Sequence, residues 1–193
     1  MSLSKHELFQ QMLEQINLHH QPEYLPYFEN GEIEQVIVHK KSKLWSFQFV
    51  FDNVLPFEVF TALMNHMKIK FQSIATIDFQ IKTRKPILTN ESILDYWETV
   101  VQRSNISSPL VLSLFAKHTP VVLDNKVVIS VENEITKNHL ADNYLSIIQQ
   151  NYLVLGFPSF QITIEVDEAA SEARMAQYLA RKQEQDEMLV KQA

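Results

Sequence analysis

Five cationic residues are the strongest candidates for a chemical role in this sequence. Lys40 and Lys41 are adjacent, Lys43 follows after one serine, and Arg84 and Lys85 form a second pair further along the chain. Ammonium and guanidinium groups bind phosphates, so these residues predict a contact with nucleic acid or with a protein partner. The three lysines would neutralise only about three phosphates, which predicts weak and salt-sensitive DNA binding. Lysines also protect exposed hairpins against edge-to-edge pairing, and the sequence leaves both interpretations open.

Two pairs of acidic residues have a spacing that chemistry could use. Glu32 and Glu34 lie two positions apart on a predicted strand and would share a face, and paired carboxylates can bind a metal ion. Acids at a strand edge are usually solvated, so we interpret this pair as structural. Glu132 and Glu134 flank the start of a predicted helix, where a favourable interaction with the helix dipole explains them.

The sequence lacks the motifs of common catalytic and nucleotide-binding sites. His19 and His20 are adjacent in a proline-bordered segment, but no HxxxH or HExxH spacing occurs, and zinc needs three or four convergent ligands. With only Gly31 and Gly156 available, neither a GxGxxG nor a GxxxxGK[ST] loop can form, and no serine lies in a G-x-S-x-G context. We therefore expect no catalytic residue, no metal and no cofactor in this chain.

Composition indicates a folded chain from a reducing compartment. Hydrophobic residues make up 46% of the 193 residues, which supports real cores, and the absence of cysteine fits the cytoplasm and excludes a disulfide scaffold. The polar residues near the start predict no signal peptide, and no apolar run in the sequence is long enough to span a bilayer. The net charge of −6 comes mainly from residues 87–167, which disfavours a dedicated nucleic-acid binder.

Residues 1–84, the first module, have the pattern of a small α-β-β-α-β unit. Ser4 and Glu7 form a capping box at the start of an amphipathic helix, and a loop with two prolines leads to Asn30. Two period-two runs, Glu32–His39 and Leu44–Phe51, predict an antiparallel hairpin with the lysines at its tip. A helix after Pro56 and a strand over residues 74–81 complete the unit.

Residues 87–167, the second module, predict the order α-α-β-β-α-β. Two helices precede two short strands around Asp124-Asn125, a long helix from Asn133 to Tyr152 follows, and the last strand alternates from Phe160 to Val166. Residues 168–193 are charged, contain few apolar anchors and predict a solvated helix, so we expect the chain to be a piece of a longer protein. The overall class is α+β: two small α/β modules and a C-terminal helix.

Short motifs along the whole chain resemble one family. They are the Gly-Glu-Ile-Glu opening at Gly31, the His-Lys-Lys-Ser at His39, the Trp-Phe-Phe strand, the Asp-Tyr-Trp at Asp95, the Gly-Phe-Pro at Gly156 and the Glu-Val-Asp-Glu at Glu165. In this order they are similar to the N-terminal region of the PolC-type DNA polymerase III alpha subunit, the replicative polymerase of Gram-positive bacteria. The resemblance implies a parent enzyme with DNA-directed DNA polymerase and 3′–5′ exonuclease activities and divalent metal, none of whose catalytic carboxylates fall in this segment.

The resemblance also implies folds and partners for the modules. The first module is implied to resemble the C-terminal domain of the clamp loader's tau subunit, and the second a truncated type II KH domain, with an OB domain further downstream. A KH domain holds nucleic acid with a GXXG loop, whereas the second module has no glycine between Ile87 and Leu155 and offers only residues 104–109, SNISSP.

Two functions follow from these observations. The first is a non-catalytic region that docks replisome proteins, with tau as the first candidate. The alternative is an auxiliary module that binds single-stranded DNA or primer–template through the lysines, with Trp45, Phe47 and Phe49 either stacking on bases or packing in the core. The repeated pattern on either side of Lys85 also predicts two separate cores, with Trp45 in the first and Trp97 in the second.

Overall fold

The structure is a computed structural model that describes residues 2–141 and 144–192. These residues form eight helices and two three-stranded sheets, so the predicted α+β class is confirmed. The helices are α1 (Lys5–Gln15), α2 (Leu25–Phe28), α3 (Phe57–Phe71), α4 (Asn90–Arg103), α5 (Pro109–Lys117), α6 (Glu134–Ala141), α7 (Leu145–Val154) and α8 (Glu168–Gln192). The strands are β1 (Glu32–His39), β2 (Leu44–Phe51), β3 (Thr76–Thr83), β4 (Val121–Leu123), β5 (Lys126–Val131) and β6 (Gln161–Val166).

The first sheet has the order β1-β2-β3. Strands β1 and β2 form the predicted antiparallel hairpin with the predicted bounds, and β3 runs parallel to β2 after the crossover helix α3. Strand β3 begins two residues later than predicted because the amides of Ile74 and Ala75 still bond to the Phe71 carbonyl at the end of α3. The crossover therefore returns the chain to the end of the sheet where the hairpin turns.

Strict period-two alternation predicts Ile33, Gln35 and Ile37 on one face of β1 and Val36 and Val38 on the other, and a bulge in the strand makes this prediction wrong. The register shifts between Ile33 and Gln35, so that Ile33 lies opposite Phe49 while Val36 lies opposite Phe47. Directly opposed residues share a face of the sheet. One extra residue exchanges the two faces of a strand, so Val36 and Val38 lie on the core side and Gln35 and Ile37 on the outer side.

The second sheet repeats this arrangement with the order β4-β5-β6. Strands β4 and β5 are antiparallel, and β6 is parallel to β5. The predicted turn at Asp124 and Asn125 is confirmed, and both residues have a positive φ, as a tight hairpin turn requires. A parallel last strand needs a helical crossover, which α6 and α7 provide.

Two loop and helix predictions are wrong. The segment with two prolines contains the short helix α2, because a proline at the first helical turn supports a helix rather than breaking it. The single helix predicted over residues 133–152 is two helices: α6 ends at Ala141, and Tyr144 is a bend before α7. The capping box is confirmed in part, since the Ser4 side chain accepts a hydrogen bond from the Glu7 amide.

The buried residues of the two modules form one connected cluster, so the prediction of two separate cores is wrong. The Tyr96 ring packs against Phe57 and Phe60 of the first module and against Phe157 of the second, with centroid distances of 5.1, 5.3 and 5.1 Å. Leu155 forms a parallel bridge with Ile81 at the edge of β3. The domain limits 1–84, 87–167 and 168–193 stay predictions.

Candidate partner-contact surface

The predicted lysines lie at one end of the first sheet. Lys40, Lys41 and Lys43 are exposed in the turn between β1 and β2. Lys43 adopts a positive φ of 51°, and its carbonyl accepts a 2.8 Å hydrogen bond from the Thr76 amide. The turn is therefore tied to the start of β3, and the three ammonium groups project from a fixed backbone.

Arg84 and Lys85 lie at the opposite end of the sheet. Leu44 pairs with Thr76 and Phe51 with Thr83, so Lys43 and Arg84 are separated by the full length of the strands, roughly 30 Å. The structure therefore does not bring Arg84 and Lys85 together with the three hairpin lysines. Sequence reasoning missed this because it did not establish the parallel direction of β3.

Arg84 has a structural environment. Its guanidinium donates to the Asn30 carbonyl at 2.9 Å and forms ion pairs with Asp52 at 2.9 Å and Glu32 at 3.1 Å. A hydrogen bond from the Asn30 side chain, followed by the one from Arg84, lowers the pKa of Asp52 below its ordinary value. Arg84 thus joins the ends of β1, β2 and β3 and has little capacity left for a phosphate.

Two lysines of α3, rather than Arg84 and Lys85, lie at the hairpin end of the sheet. Lys68 and Lys70 are exposed in the last turn of α3, which leads directly into the start of β3. No acidic residue occurs in residues 35–51 or 59–77, the two segments that build this end. We call the five residues Lys40, Lys41, Lys43, Lys68 and Lys70 the lysine end. The sequence signal that could have revealed the lysine end is the absence of acidic residues on either side of both lysine groups.

Apolar side chains are exposed beside the lysine end. On β1, Val36, Ile37 and Val38 are 41%, 38% and 48% exposed. Between α3 and β3, Ile69 and Ile74 are 67% and 55% exposed. Because β1 is an outer strand of the sheet, Val36, Ile37 and Val38 lie beside the hairpin lysines at an unpaired strand edge, whereas Ile69 and Ile74 lie next to Lys68 and Lys70 on the side of β3.

Three of the four acidic candidates, Glu32, Glu34 and Glu132, are paired with bases. Glu34 forms a 3.0 Å ion pair with Lys82, and Glu32 pairs with Arg84, so the two carboxylates neutralise different cations. Glu132 forms a 3.4 Å ion pair with Lys117, and Glu134 lies in the first turn of α6. Within residues 2–141 and 144–192, no group of three or more His, Cys, Asp or Glu side chains could hold a metal ion.

The aromatic residues of β2 belong to the core. Phe47 is 5% exposed and Phe49 is fully buried, while the half-buried Trp45 packs against Phe71 with a centroid distance of 5.6 Å. Of the two interpretations of these rings, core packing is therefore confirmed. On the outer face of the sheet, three glutamine side chains form a hydrogen-bonded row. The Gln35 amide donates to the Gln48 side-chain oxygen at 2.8 Å, and the Gln48 amide donates to the Gln80 side-chain oxygen at 3.1 Å.

The loop compared with a KH clamp is held by internal hydrogen bonds. The Ser104 hydroxyl donates to the Val100 carbonyl at 2.7 Å and accepts from the Asn151 side chain at 2.9 Å. The Ser108 hydroxyl accepts from the Val111 amide and caps α5. These polar groups serve the helix ends, so the geometry adds nothing in favour of nucleic-acid binding at this loop.

The fold defines a two-module α+β chain, and comparison with known proteins identifies its family. Residues 8–81 match the family model described as DNA polymerase III polC-type N-terminus I, and residues 95–193 match DNA polymerase III polC-type N-terminus II. The chain therefore belongs to the N-terminal region of PolC-type DNA polymerase III, as the motifs predicted.

Several relatives carry the description DNA polymerase III PolC-type. The protein from Latilactobacillus sakei is 44% identical over 89% of this chain, that from Pediococcus pentosaceus 34% over 100%, and that from Bacillus subtilis 30% over 96%. The chain spans only 12–13% of the length of these relatives. Among the residues that the structure describes, no helix is both long enough and apolar enough to cross a membrane.

Proposed function

We propose that this chain is a non-catalytic N-terminal region of a replicative DNA polymerase and that it docks other replisome proteins. The family and its relatives support a role in chromosome replication. The observation that carries the docking proposal is the open edge of β1, where three apolar residues are exposed beside the lysine end. An exposed strand edge with apolar side chains is a common site for protein association.

The chemistry of replication belongs to other parts of the parent protein in this proposal. The parent is a DNA-directed DNA polymerase of the cytoplasm with 3′–5′ exonuclease activity and divalent metal ions. Two-metal catalysis needs converging carboxylates, whereas Glu32 and Glu34 of the first sheet are paired with Arg84 and Lys82. Primer extension or exonuclease turnover by the pure chain, abolished by changing acids within it, would contradict this proposal.

The tau subunit of the clamp loader is the first partner to test. Calorimetric titration of the purified chain with purified tau is expected to show saturable binding. Replacing Val38 by Lys, which puts a charge on the β1 edge, is expected to weaken that binding by about tenfold. Lys182→Glu, an exposed change in α8, serves as the control. The docking proposal fails if neither tau nor any other purified replisome protein binds the chain.

Single-stranded DNA is a second candidate ligand, favoured by the lysine end. Five lysines in segments without acids form a local positive field. The net charge of −6 opposes binding, and the exposed Ile69 and Ile74 are poor neighbours for phosphate. Fluorescence anisotropy with a thymidylate oligonucleotide of about 20 nucleotides tests it. Tight binding near 150 mM salt would move the function from protein docking to nucleic-acid handling.

A further inference from the structure

We propose that the β1 edge binds an extended acidic segment of a partner protein, which adds as a fourth strand with its acidic residues over the lysine end. This inference rests on the docking function proposed above and gives that function a site and a partner chemistry. The unpaired backbone, the charges and the apolar side chains of this edge favour a peptide over DNA as its ligand.

The part of β1 beyond the bulge can accept an added strand. The pairing with β2 is regular from Gln35 to His39, and this half of the strand is exposed. Gln35–Val38 contains no charged residue, so the lysines that usually block edge pairing lie beyond the strand rather than on it. A strand that is outermost in its sheet offers unpaired amide and carbonyl groups to an added strand.

The two ends of this edge differ in charge. At the end near residue 32, Glu32 and Glu34 are already neutralised by Arg84 and Lys82. At the other end the ammonium groups of Lys40, Lys41 and Lys43 are exposed. Only the lysine end of β1 therefore attracts an acidic peptide. If the acids are clustered at one end of the peptide, this attraction fixes the direction in which the peptide lies along the strand.

The exposed apolar side chains of this edge favour a peptide over DNA as the ligand. The side chain of Ile37 lies on the outer face, those of Val36 and Val38 on the core side, so alternate side chains of an added strand find apolar neighbours on both faces. Phosphates gain nothing from these groups, whereas an acidic and apolar peptide uses both.

The test uses the full chain and a synthetic peptide of Asp-Glu-Asp followed by Val-Thr-Val-Thr-Val. Two control peptides replace the three acids by lysines or the central valine by proline. We expect the acidic peptide to bind at least about tenfold more tightly than either control. Binding should also slow amide hydrogen exchange within Val36–His39, because added-strand hydrogen bonds protect edge amides.

Two charge-matched variants complete the experiment. Changing Lys40, Lys41 and Lys43 to Glu is expected to weaken peptide binding by about tenfold or more, whereas changing the exposed Lys126, Lys182 and Lys191 to Glu alters the net charge equally and leaves binding within about twofold. Circular dichroism verifies that both variants fold. Ile37→Lys provides a variant of the edge that keeps the lysines intact.

Three outcomes would overturn the inference. They are no binding of the acidic peptide, binding without protection of Val36–His39, or binding of the thymidylate oligonucleotide alone with the same lysine dependence. If the peptide fails while tau binds, the inference fails and the docking function stands. If neither the peptide nor any replisome protein binds, both fail.

Discussion

The Tyr96 hydroxyl donates a 2.6 Å hydrogen bond to the carbonyl of Leu55 and thereby connects the two modules. Both residues are buried, at 0% and 2% exposure. Tyr152 makes a similar buried bond, 2.8 Å long, to the carbonyl of Ile93. The two hydroxyls hold α4 between the first module and α7, which explains why the cores are continuous.

Replacing Tyr96 by Phe should destabilise the chain by about 1–3 kcal/mol, because the buried Leu55 carbonyl loses its donor. Urea denaturation followed by circular dichroism measures the change. Tyr178→Phe is the matched control, since Tyr178 is 62% exposed in α8. Equal stabilities for the two variants would show that this bond contributes nothing.

Stability should fall above about pH 10. Burial raises the pKa of Tyr96, with a smaller contribution from the Asp95 charge, and burial also raises the pKa of Tyr152, both above their ordinary value of 10.0. The unfolded chain releases these protons first, so stability is complete below the unfolded pKa and is lost as the pH rises above it. The expected slope is about 1.4 kcal/mol per pH unit for each tyrosine. A Tyr96→Phe and Tyr152→Phe double variant should lose this dependence in urea titrations repeated between pH 9 and 11.

Trp45 and Trp97 should report the same unfolding transition. They lie in different modules, but the buried residues around them belong to one cluster. Fluorescence of Trp45→Phe and Trp97→Phe variants isolates each probe during urea denaturation. After correction for the stability of each variant, coincident midpoints are expected. Two separate transitions would indicate independent modules.

Gly156→Ala should destabilise the junction by about 1–3 kcal/mol. Gly156 has a φ of +94°, and an added Cβ would lie 2.9 Å from the Thr83 Cγ2 and 3.0 Å from the Ile81 Cγ2. Asn125→Gly is the control, because Asn125 has a φ of 64° and glycine adopts this conformation without strain. Thermal denaturation measures both, and an unchanged midpoint for Gly156→Ala would show that neither the positive φ nor the close contacts of the added Cβ cost stability.

Changing Lys40, Lys41 and Lys43 to Glu should alter stability by only about 0.5 kcal/mol, because all three are exposed. If the lysine end binds DNA, the same variant should reduce the log–log salt slope by roughly three units on duplex and nearer two on single strands. If it binds protein only, DNA affinity will already be negligible at moderate salt. Anisotropy titrations between about 50 and 200 mM salt distinguish the two cases.

The sequence by itself determined the local elements and the family. The hairpin bounds followed from the period-two runs of β-branched and aromatic residues around a short polar turn, since strand formation depends on neighbouring side chains that alternate between faces. The motifs in their order were sufficient to identify the PolC-type N-terminal region, because a family is defined by residue identities along the chain.

Tertiary structure alone decided which residues meet. Arg84 was a further candidate beside the hairpin lysines in the list of cationic residues, but the parallel direction of β3 places it at the far end of the sheet, and Lys68 and Lys70 lie at the lysine end. The bulge at Ile33–Gln35 exchanged the faces of β1, and Tyr96 merged two predicted cores into one. Strand direction, register and module packing depend on contacts between distant residues, which local patterns do not contain.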